Sequence, residues 1–189
     1  MFLTRRPTAL EIEKFIDQSR DLPLSYAPVR IAEASPAGFK LDRLAGIVGQ
    51  GQHSFDMARR ALAEWRHFDL GWVELWPRAA PVDPGTTVAI LIRHAGLWSL
   101  NGCRVVYSVG DGQSAAGFAY GTLTNHAEMG EEIFQVSMST DSEEVTYEIR
   151  AASKPRALLA RIGYPYVRFC QSRFRRDSVA AMRRAVRVR

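Results

Sequence analysis

The chain has 189 residues, of which 47% are hydrophobic and 24% charged. These proportions are typical of a soluble globular protein, and the length suits one domain with a sizeable core. No run of about eighteen apolar residues is present, so no membrane-spanning helix is expected. The N-terminus lacks a signal-peptide pattern and the two cysteines, Cys103 and Cys170, lie far apart, which favours a cytoplasmic protein with free thiols.

The formal net charge of +5 is unevenly distributed along the chain. The region 1–149 carries 13 Lys or Arg and 19 Asp or Glu, whereas 150–189 carries 12 basic residues and a single acidic one, Asp177. Such a segment is compatible with docking to an anionic partner. No groove-reading motif accompanies the arginines, so we expect a solvated helix face and no specific nucleic-acid binding.

Hydrophobic spacing predicts two helices and a strand in the first third of the chain. The first helix covers about 11–19, within an N-terminal helical extension of 1–22, and a strand covers 38–48. Ser54 is the expected N-cap of the second helix, which runs to about Phe68. Its apolar face consists of Phe55, Ala58, Ala61, Leu62 and Trp65.

From Gly71 onward the hydrophobic period changes to two, which indicates β-strands. The pattern predicts strands at 71–76, 86–94, 96–109, 116–123, 131–138 and 145–151. With 38–48 this makes about seven strands, and their consecutive order favours an antiparallel meander.

The C-terminal segment predicts one long basic helix over 154–187, with Pro165 starting or kinking its main part. Its apolar stripe consists of Leu159, Ile162, Tyr166, Cys170, Phe174, Ser178 and Ala181. We therefore predict a single domain, 1–189, of the α+β class. A curved antiparallel sheet would hold this helix on its concave face, and the space between them would be filled by side chains or left partly open as a pocket.

Several blocks of the sequence resemble the DUF1990 family. They are YAPV at 26–29, ALAEW at 61–65, GWVELWP at 71–77, CRVVY at 103–107, GFAYGTL at 117–123 followed by His126 and by GEE at 130–132, and SKPRALLARIGYP at 153–165. The resemblance implies a fold without implying an activity. The order of elements is also similar to the START-like, helix-grip superfamily, whose members commonly hold hydrophobic ligands between the sheet and the long helix.

His126 and Glu128 form an H-x-E motif in the middle of this region. A zinc deaminase would need a downstream P-C-x-x-C, which the chain lacks, so no metal is expected and both residues are assigned to a polar turn. No nucleotide-binding glycine loop and no nucleophile elbow are present, and no cofactor is predicted.

Alternation along 131–138 separates the two neighbouring acids, Glu131 and Glu132. Glu131 is expected to point outward. Glu132 shares the more apolar face with Phe134 and lies at the rim of the interior. A salt bridge from Glu132 to an arginine of the C-terminal helix is favoured, and an acid–base group with a raised pKa is the alternative.

The leading hypothesis is a helix-grip protein that binds a small hydrophobic or amphipathic ligand. Trp65 and Trp72 are expected in the core, and the candidate ligand-binding residues are Tyr120, Glu132, Phe134, Trp76, Trp98 and Tyr166. One alternative is a polyketide-cyclase-like enzyme using Glu132 with Tyr120 or His126. The other is a partner-docking protein that uses the arginine-rich helix. Whether the protein is an enzyme stays open at this point.

Overall fold

A computed structural model describes residues 1–34, 36–94, 96–155 and 163–187, and its central feature is a curved antiparallel sheet. The strands follow the order β2-β8-β7-β6-β5-β4-β3, and a short β1 pairs with the start of β5. Their bounds are β1 Phe2–Leu3, β2 Lys40–Gln50, β3 Val73–Trp76, β4 Thr87–Arg93, β5 Trp98–Val109, β6 Ala115–Thr122, β7 Glu128–Met138 and β8 Glu144–Pro155.

Helices lie before, within and after this run of strands. They are α1 Ala9–Ser19, α2 Ile31–Ala34, α3 Gly51–Ala63, a 3-10 turn Arg66–Phe68, and α4 Tyr164–Val186. In α1 a capping box between Thr8 and Glu11 fixes the first turn. None of the described helices is long and apolar enough to cross a membrane.

The predicted start of the second helix at Ser54 is wrong. The helix α3 begins at Gly51, directly after β2, and Gln50 occupies the N-cap position without a side-chain hydrogen bond. Gly51 has a φ of 78°, a backbone conformation that glycine adopts freely, so the strand turns into the helix without a polar cap. The helix ends at Ala63, and Trp65 then adopts a φ of 56° before the 3-10 turn.

The long helix α4 packs on the concave face of the sheet, which confirms the predicted α+β helix-grip architecture. Phe174, Val179 and Met182 are buried against α3 and the sheet. Gly46 of β2 permits close approach, since a Cβ there would lie 2.5 Å from Val179 Cγ1. The predicted start of the long helix at residue 154 is wrong, because residues 154 and 155 belong to β8, and the described helix covers Tyr164–Val186. The predicted stripe residues Leu159 and Ile162 lie outside the described part of the chain.

The opposite, convex face carries α1 at one end of the sheet. Ile12, Phe15 and Ile16 pack on Ala89, Leu91 and Leu100, and the same cluster includes the half-buried Trp76 and Trp98. The apolar cluster that α3 and α4 form with the concave face is therefore separate from the cluster that α1 forms with the convex face, and the sheet lies between them.

An aromatic cluster fills the concave side under α3. His67 is fully buried there, with its ring 4.6 Å from Phe134 and stacked at 5.6 Å on Trp65. Neither ring nitrogen has a hydrogen-bond partner among the described residues, and burial lowers the pKa of His67 to about 3. The imidazole is therefore neutral at physiological pH and packs as an aromatic ring.

Candidate functional site

A cavity of about 390 Å³ lies between the concave face of the sheet and α4. Its volume is within the range of roughly 300–1,000 Å³ found for small-molecule sites. One wall is apolar and contains Phe68, Trp72, Val167, Cys170 and Phe174. The sheet supplies a floor with polar side chains, which are Ser99, Asn101, Tyr120, Thr122, Glu128 and Glu132.

Strand alternation explains why the two acids lie on this floor. Glu128, Gly130 and Glu132 are separated by two positions on β7, so they share its concave face. In the sheet register Glu132 is opposite Tyr120 of β6 on one side and Ala151 of β8 on the other. The small side chain of Ala151 also lines the cavity beside Glu132.

Glu132 receives one neutral donor from the protein. The Tyr120 hydroxyl donates to Glu132 Oε2 at 2.8 Å, and no ion pair within 4.0 Å involves Glu132 in the described ranges. Burial raises the pKa of Glu132 to about 7, although the Tyr120 bond and the charge of Arg175 act against this rise. The salt bridge expected between Glu132 and an arginine of the C-terminal helix is therefore wrong.

The two inward-facing arginines of α4 bind Asp42 of β2 instead. Arg168 donates to both carboxylate oxygens, at 2.5 and 2.6 Å, and Arg175 Nη2 lies 3.3 Å from Asp42 Oδ1. Burial opposes the ionisation of Asp42, but the two arginines keep its pKa below the usual range. Arg173 lies 4.5 Å from the Trp72 ring and pairs with Asp177. All three arginines therefore contact protein groups, whereas the sequence predicted a solvated helix face.

Glu128 lies in β7 and not in the polar turn to which the sequence pattern assigned it. Its Oε2 accepts from Gln171 Nε2 at 2.8 Å, and burial raises its pKa above the usual value. His126 does lie in the turn, where its Nδ1 accepts from the Glu128 N–H at 2.9 Å. Burial lowers the pKa of His126 to about 3. No group of three or more His, Cys, Asp or Glu in the described ranges is placed to hold a metal ion.

The remaining polar floor is internally hydrogen-bonded. Ser99 Oγ lies 2.9 Å from His94 Nε2 and accepts from Asn101 Nδ2 at 3.0 Å. Asn101 Oδ1 accepts in turn from the backbone N–H of Ala127 at 3.3 Å. Ser99 and Asn101 therefore hydrogen-bond to each other and to further protein groups, whereas the Glu132 carboxylate accepts a single hydrogen bond, from Tyr120.

The cavity opens to solvent beside the start of α4. Phe2, Leu97 and Tyr166 line it and are 37%, 43% and 45% exposed. The Tyr166 hydroxyl lies 3.4 Å from His94 Nδ1, which links the helix to the end of β4. The mouth is therefore aromatic, whereas the acids lie on the sheet floor.

The structure brings together three of the six candidate ligand-binding residues. Tyr120, Glu132 and Tyr166 line the cavity. Phe134 shares the concave face of β7 with Glu132 but does not line the cavity; it is fully buried beside it against Phe68 and Phe174. Trp76 and Trp98 belong to the convex cluster with α1 and do not line this cavity, because their strand positions place them on the other face.

Trp72 has a role beyond the core position predicted for it. Its ring is buried and also lines the cavity, and its indole N–H donates to Asp177 of α4 at 2.9 Å. Trp65 is a core residue as expected, with its N–H bonded to the Ala80 carbonyl at 2.8 Å.

Glu131 is the residue whose environment the sequence pattern missed. It does point to the convex face, but it is 2% exposed because 26–34 covers it. The hydroxyls of Tyr26 and Tyr107 donate to it at 2.7 and 2.6 Å, and the backbone N–H groups of Arg30 and Ala32 at 2.9 and 3.3 Å. This carboxylate anchors the N-terminal segment on the sheet.

Residues from four of the sequence blocks meet at this anchor. Tyr26 comes from YAPV, Tyr107 from CRVVY, Gly121 from GFAYGTL and Glu131 from GEE. A Cβ at Gly121 would lie 2.2 Å from the Tyr26 hydroxyl oxygen, so glycine is needed for that tyrosine to reach Glu131. Four separate blocks therefore meet at one buried carboxylate. Their joint presence in the sequence is the signal that could have indicated this contact.

The family model described as "Domain of unknown function (DUF1990)" matches residues 25–181. The chain belongs to the DUF1990 family. A UPF0548 protein of Dictyostelium discoideum is 33% identical over 207 residues, covering 98% of this chain and 96% of the relative. A UPF0548 protein of Deinococcus radiodurans is 31% identical over 199 residues, covering 98% of each. The resemblance inferred from the sequence blocks is thereby confirmed.

Solved structures share the fold of this DUF1990 protein at low sequence identity. Hypothetical protein jhp0584 from Helicobacter pylori has a TM-score of 0.56 and 10% identity, over 86% of this chain and 95% of that one. The di-domain ARO/CYC BexL from the BE-7585A biosynthetic pathway has a TM-score of 0.52 and 14% identity, over 82% of this chain and 52% of that one. At such identities the likeness establishes the helix-grip fold alone.

The anchor at Glu131 predicts a large loss of stability on substitution. In Glu131→Gln the amide cannot accept from all four donors, which leaves buried polar groups unpaired, so we expect a loss of about 2–4 kcal/mol in the free energy of unfolding. Urea unfolding followed by circular dichroism measures it. Tyr26→Phe, which removes one donor only, should cost about 1 kcal/mol. Equal stability of Glu131→Gln and the parent would contradict the assignment.

For Glu132, on the opposite face, we predict that substitution by glutamine raises the stability of the protein and that this gain depends on pH. A carboxyl that titrates at 4.5 when unfolded and about 7 when folded loses folding stability as pH rises through that window. The free energy of unfolding of Glu132→Gln should therefore rise relative to that of the parent by about 1.4 kcal/mol per pH unit between these values. Urea unfolding at pH 4.5, 6 and 8 measures this difference. Glu148→Gln, on the convex face, is the matched control; a pH-independent difference for Glu132→Gln would refute the prediction.

Proposed function

We propose that this DUF1990 protein binds a small hydrophobic or amphipathic molecule between its sheet and α4. The observation that carries the proposal is the cavity of about 390 Å³, which has an apolar wall and a polar floor. Burial of apolar ligand surface against the aromatic wall would supply most of the binding energy. The hydrogen-bonding groups of the floor would orient the ligand.

Three residues have distinct roles in this proposal. Tyr166 lies at the exposed mouth and would contact the ligand on entry, whereas Tyr120 and Glu132 would bind its polar group. Phe134 packs against the Tyr120 ring and would hold it in place. The fold shared with BexL, whose name describes it as an ARO/CYC protein, is compatible with a cavity that accepts cyclic molecules. Cys103 and Cys170 are free thiols, and the cytoplasmic location stays a prediction.

Filling part of the cavity should weaken the binding of an apolar probe. N-phenyl-1-naphthylamine is an uncharged fluorophore whose emission rises in apolar surroundings, and it should bind the parent protein. Ala151→Phe places a ring beside Glu132 on the cavity floor and should weaken this binding at least about tenfold by occupying the ligand volume. Fluorescence titration measures the affinity.

Ala45→Phe is the matched control, since it makes the same change at an exposed position of β2. Its affinity for the probe should equal that of the parent. Unchanged binding by Ala151→Phe, or no binding by the parent, would contradict the proposed site. Native mass spectrometry of freshly purified protein would identify a co-purifying molecule.

A second candidate function is acid–base catalysis on the bound molecule. The observation that favours it is the hydrogen-bonded pair of Tyr120 and Glu132, in which burial brings the carboxyl pKa to about 7. A group that titrates near the working pH can both take and return a proton. His126 lines the same cavity but is held neutral, so we assign the proton transfer to Glu132.

Hydrogen exchange offers a direct measurement of this candidate. In D₂O a cyclic ketone that displaces the probe should exchange its α-protons faster with the parent than without protein, because Glu132 removes the proton, exchanges it for a deuteron from the solvent and returns the deuteron to the same carbon. Proton NMR follows the loss of signal. Glu132→Gln should reduce the rate at least about hundredfold, whereas Glu148→Gln should not change it. Equal rates with the parent and with Glu132→Gln would exclude the catalytic role and leave binding intact.

A further inference from the structure

We infer that the molecule bound in this cavity carries a positively charged amine, which pairs with the carboxylate of Glu132. This inference rests on the proposed function and names the chemical class of its ligand. It follows from the way in which the protein distributes its own charges around the cavity.

Two arginines of α4, Arg168 and Arg175, are both paired with one acid of the sheet. Arg168 and Arg175 lie within 3.3 Å of the Asp42 carboxylate, and Arg168 binds it with both of its terminal nitrogens. Bidentate pairing of this kind holds a guanidinium firmly in place. Neither arginine forms an ion pair within 4.0 Å with Glu128 or Glu132 in the described part of the chain.

The two acids of the cavity floor have neutral partners instead. Glu128 accepts from the side-chain amide of Gln171, and Glu132 accepts from the Tyr120 hydroxyl. Among the described residues, Glu128 and Glu132 on the floor and Asp42 beside it make three carboxylates for the two guanidinium groups of Arg168 and Arg175, which is one more negative than positive group when all are ionised. A buried carboxylate without a countercharge is costly, so a cation that enters the cavity is stabilised there.

Glu132 also has hydrogen-bonding capacity left for a ligand. Its Oε2 has one donor, Tyr120, whereas the neighbouring Glu131 has four donors on the other face. An ammonium group has three N–H donors and no acceptor, so it matches a carboxylate that still needs donors. A ligand carboxylate would be repelled by both floor acids, and a neutral hydroxyl would supply one donor without charge.

The raised pKa of Glu132 is consistent with this deficit. The charged or titratable groups that act on it come from every surrounding element: Tyr120 on β6, Cys103 on β5, Tyr147 on β8, Glu128 on its own strand, Asp42 on β2 and Arg175 on α4. Of these, only Arg175 is a cation, and Asp42 already binds it. Burial, to which the charges of Glu128 and Asp42 add, raises the pKa of Glu132, so the carboxyl holds a proton to higher pH, and a bound ammonium would replace that proton.

Three compounds with the same phenylbutyl skeleton distinguish the effect of ligand charge on affinity from the effect of apolar burial. They are 4-phenylbutylamine, 4-phenylbutan-1-ol and 4-phenylbutanoate, each tested by displacement of N-phenyl-1-naphthylamine at pH 8. We expect the amine to bind about tenfold more tightly than the alcohol, since a charge-assisted bond in a partly desolvated site is worth that much. The carboxylate should bind most weakly.

Glu132→Gln tests the assigned residue. It should lower the ratio of amine to alcohol affinity at least about tenfold, because the countercharge is lost. Glu148→Gln makes the same change on the convex face, where the acid pairs with Arg43, and should keep the parent ratio. In the parent the amine affinity should fall about tenfold per pH unit below the pKa of Glu132, as the carboxyl becomes protonated, while alcohol affinity should change little.

The possible results separate the inference from the function on which it rests. If neither the probe nor any of the three compounds binds, the proposed binding function fails. If the alcohol displaces the probe and the amine is no tighter, or if the carboxylate is tightest, the cavity binds ligands but the inference is wrong. An amine preference that survives Glu132→Gln also overturns it.

Discussion

The alternation of β7 across the sheet is the constraint on which both faces of the protein depend. It sends Glu131 to the convex face and Glu132 to the concave face, although the two residues are adjacent and chemically identical. Glu131 meets two tyrosine hydroxyls and two backbone N–H groups, so its burial is fully compensated and it anchors the N-terminal segment. Glu132 meets one hydroxyl and keeps part of its surface toward a cavity. One acid thus supports the structure, whereas the other is available to a ligand.

The pairing of charges between α4 and β2 produces this difference in availability. Asp42 lies on the concave face of an edge strand, where Arg168 and Arg175 can both reach it. The ion pairs fasten one side of the helix to the sheet, as the packing of Val179 against Gly46 does further along. Arg168 and Arg175 therefore form ion pairs with Asp42 and, among the described residues, none with Glu128 or Glu132. The protein therefore combines an arginine-rich helix with an acidic cavity, and the helix composition alone would suggest the opposite.

The aromatic packing around the cavity makes its floor rigid. Phe134 and the buried His67 fill the space under α3, and Phe68 connects this cluster to Phe174 of α4. A neutral imidazole serves here as an aromatic ring, since its nitrogens have no partner among the described residues. Close packing of this kind limits how far the floor can move when a ligand enters. The mouth beside Tyr166 contains exposed aromatic side chains, so a ligand of the proposed kind would enter there.

The sequence by itself determined the strands and the long C-terminal helix, because hydrophobic period is a local property of the chain. The order of these elements predicted the helix-grip arrangement, and the sequence blocks that resemble DUF1990 predicted the family. It also separated Glu131 from Glu132, since side-chain alternation needs only the strand. Which groups would meet across the sheet was decided by the tertiary structure alone. Period two cannot tell which face holds the cavity, so Trp76 and Trp98 were placed with the ligand although they pack against α1. Nor can spacing reveal that Asp42 binds the helix arginines or that 26–34 covers Glu131, because these contacts join residues about one hundred positions or more apart and depend on strand order and helix rotation.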